Sequence, residues 1–81
     1  MPKRAKPNQR TPSAIDAHVG ARVRTLRLAR GVTRSNLGAW LGVSCAQVQK
    51  YERGVDRVGA TRLFQLARIF RVPMTSFFEG L

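Results

Sequence analysis

The chain has 81 residues, of which 43% are hydrophobic, and it carries 15 Lys and Arg against 4 Asp and Glu, for a net charge of +11. This length allows one small domain, and this charge favours a polyanionic partner, either a nucleic acid or an anionic membrane surface. A single cysteine excludes an internal disulfide framework, no apolar run approaches the ~18 residues of a transmembrane span, and no apolar segment follows the charged N-terminus as it would in a signal peptide. We therefore expect a cytoplasmic protein.

Residues 1–13 differ in composition from the rest of the chain. They contain three of the four prolines and four of the positive charges, and no acidic residue. This composition predicts a flexible basic arm. The folded domain is predicted over residues 14–81, where a net charge of +7 remains.

The first two helices are predicted from the spacing of apolar residues. Over residues 14–30 these recur at intervals of four, four and three, which is the stripe of an amphipathic helix, and Ser13 is its predicted N-cap. Thr33 is the predicted N-cap of a second helix. The apolar face of this second helix is predicted to contain Leu37, Trp40 and Leu41.

A third helix follows after a single glycine. Gly42 is predicted to turn the chain, Ser44 to cap the third helix and Gly54 to end it. Such a short connection leaves too few residues for an antiparallel hairpin, so the two helices should cross at about 90–120°, as in a helix-turn-helix. The third helix has only Val48 and Tyr51 as obvious core residues. Its other positions are small, polar or basic, and amide or cationic side chains of this kind read base edges in a DNA major groove about 12 Å wide.

The C-terminal part predicts two more helices. After a loop at 55–59, residues 63–70 carry the apolar stripe of a fourth helix, and Pro73 is placed to begin a short fifth helix. Adjacent residues of a helix point about 100° apart, so Phe77 and Phe78 should not both enter one core. We expect one ring to pack inward and the other to join a dimer interface, although both could instead close the monomer core. The candidate interface residues are Met74, Phe77, Phe78 and Leu81.

Several of these segments carry a family pattern in their residues and order. They are 19–27 (VGARVRTLR), 31–33 (GVT), Leu37, 41–44 (LGVS), Val48, 51–54 (YERG), Leu63, 66–67 (LA), Phe70, 72–74 (VPM) and the pair Phe77 and Phe78. Together they resemble the phage repressor and Cro-like helix-turn-helix proteins, also called the xenobiotic-response-element (XRE) family. The resemblance implies a compact, all-α, five-helix, lambda-repressor-like DNA-binding domain with the helix-turn-helix at helices 2 and 3. It also implies a double-stranded DNA operator, a homodimer and no cofactor.

The resemblance also implies roles for individual residues. The base-reading positions of the family fall on Cys45, Ala46, Gln49 and Lys50, and Gln47 lies among them. Lysine suits guanine, glutamine suits adenine, and small side chains suit the thymine methyl group. The candidates for phosphate contacts are Thr33, Arg34, Ser44, Arg53, Arg57 and Arg62. Arg27 and Glu52 match a family ion pair that orients the third helix.

Two positions depart from the family pattern. Arg34 stands where the family often has a glutamine that touches a phosphate, and arginine can make that contact with added charge. Gly38 stands where the family usually has alanine, and glycine costs roughly 1 kcal/mol of helix propensity.

These observations predict a sequence-specific transcriptional regulator that occupies a palindromic or pseudo-palindromic operator as a homodimer. One alternative is a controller or antitoxin-type autoregulator, and another is a basic protein that binds nucleic acid or a membrane surface without specificity. An enzyme is not expected, because four carboxylates, one histidine and one cysteine form no paired constellation. No metal site is expected either, since His18 and Cys45 cannot supply three or four ligands. The sequence identifies no protein partner beyond a second copy.

Overall fold

The computed structural model describes residues 12–81, which form four α-helices followed by a short 3-10 helix. The α-helices are α1 (Pro12–Ala29), α2 (Arg34–Leu41), α3 (Cys45–Arg53) and α4 (Ala60–Phe70), and the 3-10 helix covers Met74–Phe78. No strand occurs within residues 12–81. The predicted all-α class is therefore confirmed.

The fifth predicted helix requires a correction. The segment after Pro73 is not an α-helix but a 3-10 helix of five residues. Pro73 has an extended conformation and precedes this helix instead of occupying its first turn. Short helical segments commonly adopt the tighter i→i+3 hydrogen bonding, because one turn offers few i→i+4 partners.

The start of α1 also differs from the prediction. The helix begins at Pro12, so Ser13 lies inside its first turn and does not cap it. Proline suits this place because its missing N–H would have no intrahelical partner there. Residues 1–11, which hold most of the predicted basic arm, lie outside the described residues.

One apolar core joins all five helical segments. Its fully or nearly fully buried side chains are Val19, Val23, Leu26, Leu37, Leu41, Val48, Leu63, Leu66, Ala67, Phe70 and Phe77. The stripe of α1 and the stripe of α4 enter this core as their spacing predicted. Burial of these side chains is the main favourable contribution to folding in so small a domain.

Trp40 does not belong to this core, contrary to the prediction. Its side chain is 56% exposed, and α2 buries Leu37, Gly38 and Leu41 instead. A Cβ atom at Gly38 would lie 2.6 Å from the carbonyl oxygen of Val43, so the missing side chain lets α2 approach the following turn. The buried face of α2 is therefore rotated toward Gly38. The same contact gives a physical reason for glycine at a position where alanine is usual.

The backbones of α1 and α3 touch at Gly20. A Cβ atom there would lie 2.9 Å from the carbonyl oxygen of Glu52 and closer still to that of Tyr51. Real Cβ atoms do not approach oxygen so closely, so only glycine fits without a shift of one helix. The C-terminal half of α3 thus rests directly on the backbone of α1, which fixes its position in the domain.

Candidate nucleic-acid interface

The ends of α2 and α3 are closed by side-chain and glycine caps. Oγ1 of Thr33 accepts a hydrogen bond from the backbone N–H of Asn36 (3.0 Å), and Oγ of Ser44 accepts one from the N–H of Gln47 (3.0 Å). Gly42 has a φ of 78°, and its N–H donates back to the last turn of α2. Such caps satisfy backbone groups that helix ends leave open, so both helices end sharply. The caps predicted for α2 and α3 are confirmed.

One side of α3 faces the interior and the other faces solvent. Val48 and Glu52 are buried one turn apart. On the other side lie exposed residues whose side chains have no hydrogen-bond or ion-pair partner within residues 12–81. At helical spacing they share a single continuous surface, which we call the α3 outer face. It consists of Cys45, Ala46, Gln49, Lys50 and Arg53.

Gln47 lies at the edge of the α3 outer face and is held by the loop that follows the helix. It is half-buried, and its Nε2 donates a hydrogen bond to Oδ2 of Asp56 (2.9 Å). The backbone N–H groups of Val55 (3.0 Å) and Asp56 (3.3 Å) both donate to the carbonyl oxygen of Lys50. Sequence reasoning did not find the contact between Gln47 and Asp56, because the fold of the intervening loop creates it.

The arginines proposed from the sequence as phosphate contacts differ in their partners. Arg53 is exposed and has no partner in the described part of the chain. Nε of Arg57 donates to Oδ2 of Asp16 (3.2 Å), and Nη1 of Arg62 donates to Oε1 of Gln65 (3.0 Å). A guanidinium group has five N–H donors, so both retain donors for an anion.

A buried carboxylate joins α1, α2 and α3. The side chain of Glu52 is 1% exposed. Its Oε2 accepts from Nε of Arg27 (2.6 Å), and its Oε1 accepts from Nη2 of Arg27 (3.3 Å) and from Nε of Arg34 (3.0 Å). Nη1 of Arg27 also donates to the carbonyl oxygen of Val32 (2.9 Å). We call these three side chains the Arg27–Glu52–Arg34 cluster.

Arg34 has a second role that sequence reasoning missed. The sequence indicated it only as a phosphate contact, whereas the structure also places its Nε on the buried Glu52. Its side chain remains 35% exposed, so part of the guanidinium group reaches solvent at the start of α2. The only indication of this contact in the sequence was that Glu52 lies inside a strongly basic element, where a glutamate needs cationic partners.

The two phenylalanines of the 3-10 helix lie in different environments. Phe77 is fully buried, whereas Phe78 is 40% exposed. A 3-10 helix has three residues per turn, so successive side chains point about 120° apart. Phe77 was among the candidate interface residues and is corrected to a core residue. The alternative in which both rings close the core is wrong for Phe78.

Phe78 has two exposed apolar neighbours along the chain. Met74 is 38% exposed and Leu81 is 63% exposed. We call Met74, Phe78 and Leu81 the C-terminal apolar group.

Two side chains of α1 hold the C-terminal segment in place. Nε of Arg22 donates to the carbonyl oxygen of Ser76 (2.9 Å), and its Nη2 lies 3.3 Å from Oε1 of Glu79. Nε2 of His18 donates to the carbonyl oxygen of Glu79. The position of the 3-10 helix is therefore set by polar contacts as well as by burial of Phe77.

The described residues contain neither a candidate metal cluster nor a candidate membrane span. Within residues 12–81, no three His, Cys, Asp or Glu side chains lie close enough together to hold a metal ion. None of the helices formed by those residues combines the length and the apolar character that crossing a bilayer requires.

Comparison with known proteins agrees with this geometry. Residues 18–75 match the helix-turn-helix domain family. The chain is 46% identical over 72 residues to an uncharacterized HTH-type transcriptional regulator of Sinorhizobium medicae, a match that covers 89% of this chain and 52% of that protein. It is also 46% identical over 72 residues to an uncharacterized transcriptional regulator in the ATPase CF(0) region of Rhodospirillum rubrum, covering 89% and 67%. The chain spans about half the length of the first of these relatives.

Solved structures show the same architecture. The restriction-modification controller protein C.AhdI from Aeromonas hydrophila matches with a TM-score of 0.70 at 27% identity, over 76% of this chain and 94% of that one. The DNA-binding domain of BldD matches with a TM-score of 0.70 at 27% identity, over 80% and 94%. The clp gene regulator ClgR from C. glutamicum, at 23% identity and a TM-score of 0.74 over 79% and 83%, shows likeness of fold alone. The chain thus belongs to the helix-turn-helix domain family, and its resemblance to the phage repressor and Cro-like proteins is confirmed.

Proposed function

We propose that the protein is a sequence-specific transcriptional regulator that binds double-stranded DNA through α3. The observation that carries this proposal is the α3 outer face, whose side chains take no part in holding the fold. Ser44 caps α3 at its start, Gly54 (φ of 75°) caps it at its end, and the helix is seated on α1, so it presents this face rigidly to a major groove. The net charge of +11 and the relatives named HTH-type transcriptional regulators support the proposal.

Within this proposal, the side chains divide into base readers and phosphate contacts. Lys50 reads guanine O6 and N7, Gln49 and Gln47 read adenine, and Cys45 or Ala46 contacts a thymine methyl group. Arg34 donates to a phosphate through its Nη atoms while its Nε stays on Glu52. The remaining phosphate contacts are Thr33, Ser44, Arg53, Arg57 and Arg62.

The test compares two variants of the α3 outer face. Preferred duplexes are first selected from a random DNA pool, and wild type, Lys50→Ala and Arg53→Ala are then titrated on the best and on random duplexes at several salt concentrations. Lys50→Ala is expected to lose ~1–3 kcal/mol per half-site on the best duplex and to relax the preference at one base position of each half-site. Arg53→Ala is expected to weaken binding to both duplexes alike and to reduce the salt slope by about 1 per protomer, which is about 2 for a dimer.

Two results of this experiment would contradict the proposal. Equal affinity for selected and random duplexes would favour the alternative of a non-specific basic binder, and binding to anionic vesicles would then identify a membrane surface as a partner. For wild type, log K should fall with log salt by about 0.9 per phosphate contact, with about 6–10 contacts in a dimer. An affinity that hardly depends on salt would argue against phosphate contacts altogether.

We further propose that the protein binds a palindromic or pseudo-palindromic operator as a homodimer through the C-terminal apolar group. Met74, Phe78 and Leu81 are three exposed apolar residues within one short segment, and a group of such residues is typical of an interface. His18 and Arg22 fix this segment on α1, so a two-fold contact there would also fix the distance between two α3 helices. A spacing of about 34 Å would match successive major grooves on one face of the DNA.

Sedimentation of Phe78→Ser tests the dimer. Wild type is expected to be dimeric at micromolar concentration, and Phe78→Ser is expected to be monomeric with unchanged helix content, because the lost ring lies outside the core. Phe64→Ser is the matched control, since Phe64 is also an exposed aromatic residue (52%) but lies on α4. A wild type that stays monomeric at high micromolar concentration, or a dimer lost only in Phe64→Ser, would rule out this interface.

A controller or antitoxin-type autoregulator is the second candidate function. It is supported by the likeness to C.AhdI, which is named as a restriction-modification controller protein. Both candidates use the same DNA interface and involve no catalysis or cofactor. A cytoplasmic location stays a prediction from the sequence.

A further inference from the structure

Asp56 differs from the other acidic residues of the chain in its partner. The chain has four carboxylates, all within residues 12–81, and three of them form ion pairs with arginine. Asp56 has no cationic side chain within ion-pair distance in that part of the chain, and its carboxylate instead accepts a hydrogen bond from the amide of Gln47. The other three pairings are Asp16 with Arg57, Glu52 with Arg27 and Arg34, and Glu79 with Arg22.

The backbone of the loop places this carboxylate against α3. The N–H groups of Val55 and Asp56 both donate to the carbonyl oxygen of Lys50, so the chain folds back onto the last turn of α3. The carboxylate of Asp56 then reaches Gln47 at the edge of the α3 outer face, 2.9 Å from Nε2. A negative charge beside a DNA-facing surface repels phosphates and lowers affinity for every sequence. A gain in specificity would offset that loss.

We propose, on the basis of the DNA-binding function proposed above, that Asp56 is a positioning residue that sets the base preference of Gln47. An ionised carboxylate can only accept hydrogen bonds, so the nitrogen of the Gln47 amide, and not its oxygen, faces Asp56. One N–H is used in this contact, and the other N–H and Oε1 remain for DNA. A donor beside an acceptor matches the N7 acceptor and N6 donor of adenine. Asp56 thereby prevents the amide from turning over and presenting the reverse pattern.

Asp56→Asn tests the proposal, because an asparagine side chain both donates and accepts and so no longer selects one orientation of the amide. Base preference is measured by selection from a random pool followed by titration of duplexes that differ at single positions. In wild type, one position of each half-site should favour adenine by about 5- to 150-fold. In Asp56→Asn this preference should fall to a few-fold, while affinity for random duplex should rise because a negative charge is gone.

Two further variants separate positioning from loss of charge. Gln47→Ala should lose the adenine preference at the same position, and Asp56→Asn should cause no further loss in the Gln47→Ala background, as expected for residues that act as a unit. Glu79→Gln removes the same charge from the C-terminal segment, where the carboxylate lies on Arg22, and it should leave the base profile unchanged. Thermal melts of all variants show whether each remains folded.

The outcomes distinguish this proposal from the proposed function. A wild type without any sequence preference overturns both. A specific wild type whose base profile is unchanged by Asp56→Asn overturns the role of Asp56 alone. An Asp56→Asn variant that loses affinity equally for all duplexes also overturns this role, since that result would mean that Asp56 only stabilises the loop. Loss of preference at one position, shared with Gln47→Ala, supports the proposal.

Discussion

Replacing Glu52 by alanine is expected to remove about half of the stability of the domain. The substitution leaves the guanidinium group of Arg27 buried without its carboxylate, and breaking a buried ion pair from one side costs about 3–5 kcal/mol. A domain of this size has a free energy of unfolding of only about 5–10 kcal/mol. Urea denaturation followed by circular dichroism measures the difference.

The control for Glu52→Ala is Glu79→Ala. Glu79 also pairs with an arginine, but its side chain is 66% exposed, so its loss should cost no more than about 1 kcal/mol. A double variant, Arg27→Met with Glu52→Leu, should recover part of the stability because it removes both buried charges. If Glu52→Ala and Glu79→Ala were equally mild, the Arg27–Glu52–Arg34 cluster would not hold the three helices together.

Replacing Gly20 by alanine is expected to destabilise the domain by about 2 kcal/mol or more. Overpacking costs about 1–3 kcal/mol and occasionally more, and we expect about 3 kcal/mol or more here because the added methyl group meets backbone oxygens that cannot rotate away. Alanine also gains roughly 1 kcal/mol of helix propensity, which offsets only part of this cost. The measurement is again urea denaturation, combined with DNA titration, because α3 must shift to accommodate the methyl group.

Gly59→Ala is the matched control for Gly20→Ala. It is the same substitution at a position where an added Cβ atom meets nothing within 4 Å and where φ is −69°. Its cost should be limited to a weaker N-cap of α4, well below that of Gly20→Ala. A Gly20→Ala variant that is as stable as wild type would show that α1 and α3 can move apart freely.

The features that the sequence predicted correctly depend on local chemistry. The apolar stripes of α1 and α4, the Thr33 and Ser44 caps and the turn at Gly42 each follow from residues a few positions apart. Local hydrogen bonds and helical spacing decide them, so no knowledge of the partner helix is required.

The features that were missed depend on how helices meet. Trp40 is exposed because the face of α2 rotates toward Gly38, and the contact of Arg34 with Glu52 exists only where three helices join. The bond between Gln47 and Asp56 depends in the same way on the path of a loop. The choice between Phe77 and Phe78 needed the geometry of a 3-10 helix, which the sequence pattern does not distinguish from an α-helix.

The independence of the α3 outer face from the fold has an evolutionary consequence. The side chains of Cys45, Ala46, Gln49 and Lys50 are exposed and make no hydrogen bond within residues 12–81, so substitutions there should leave the free energy of unfolding nearly unchanged. Under the proposed function, a lineage can then acquire a new operator through changes at these four positions without passing through unstable intermediates. Gln47 is the exception, because its change also leaves the Asp56 carboxylate without its hydrogen-bond donor, so we expect a new residue at this position to be accompanied by a second substitution at Asp56.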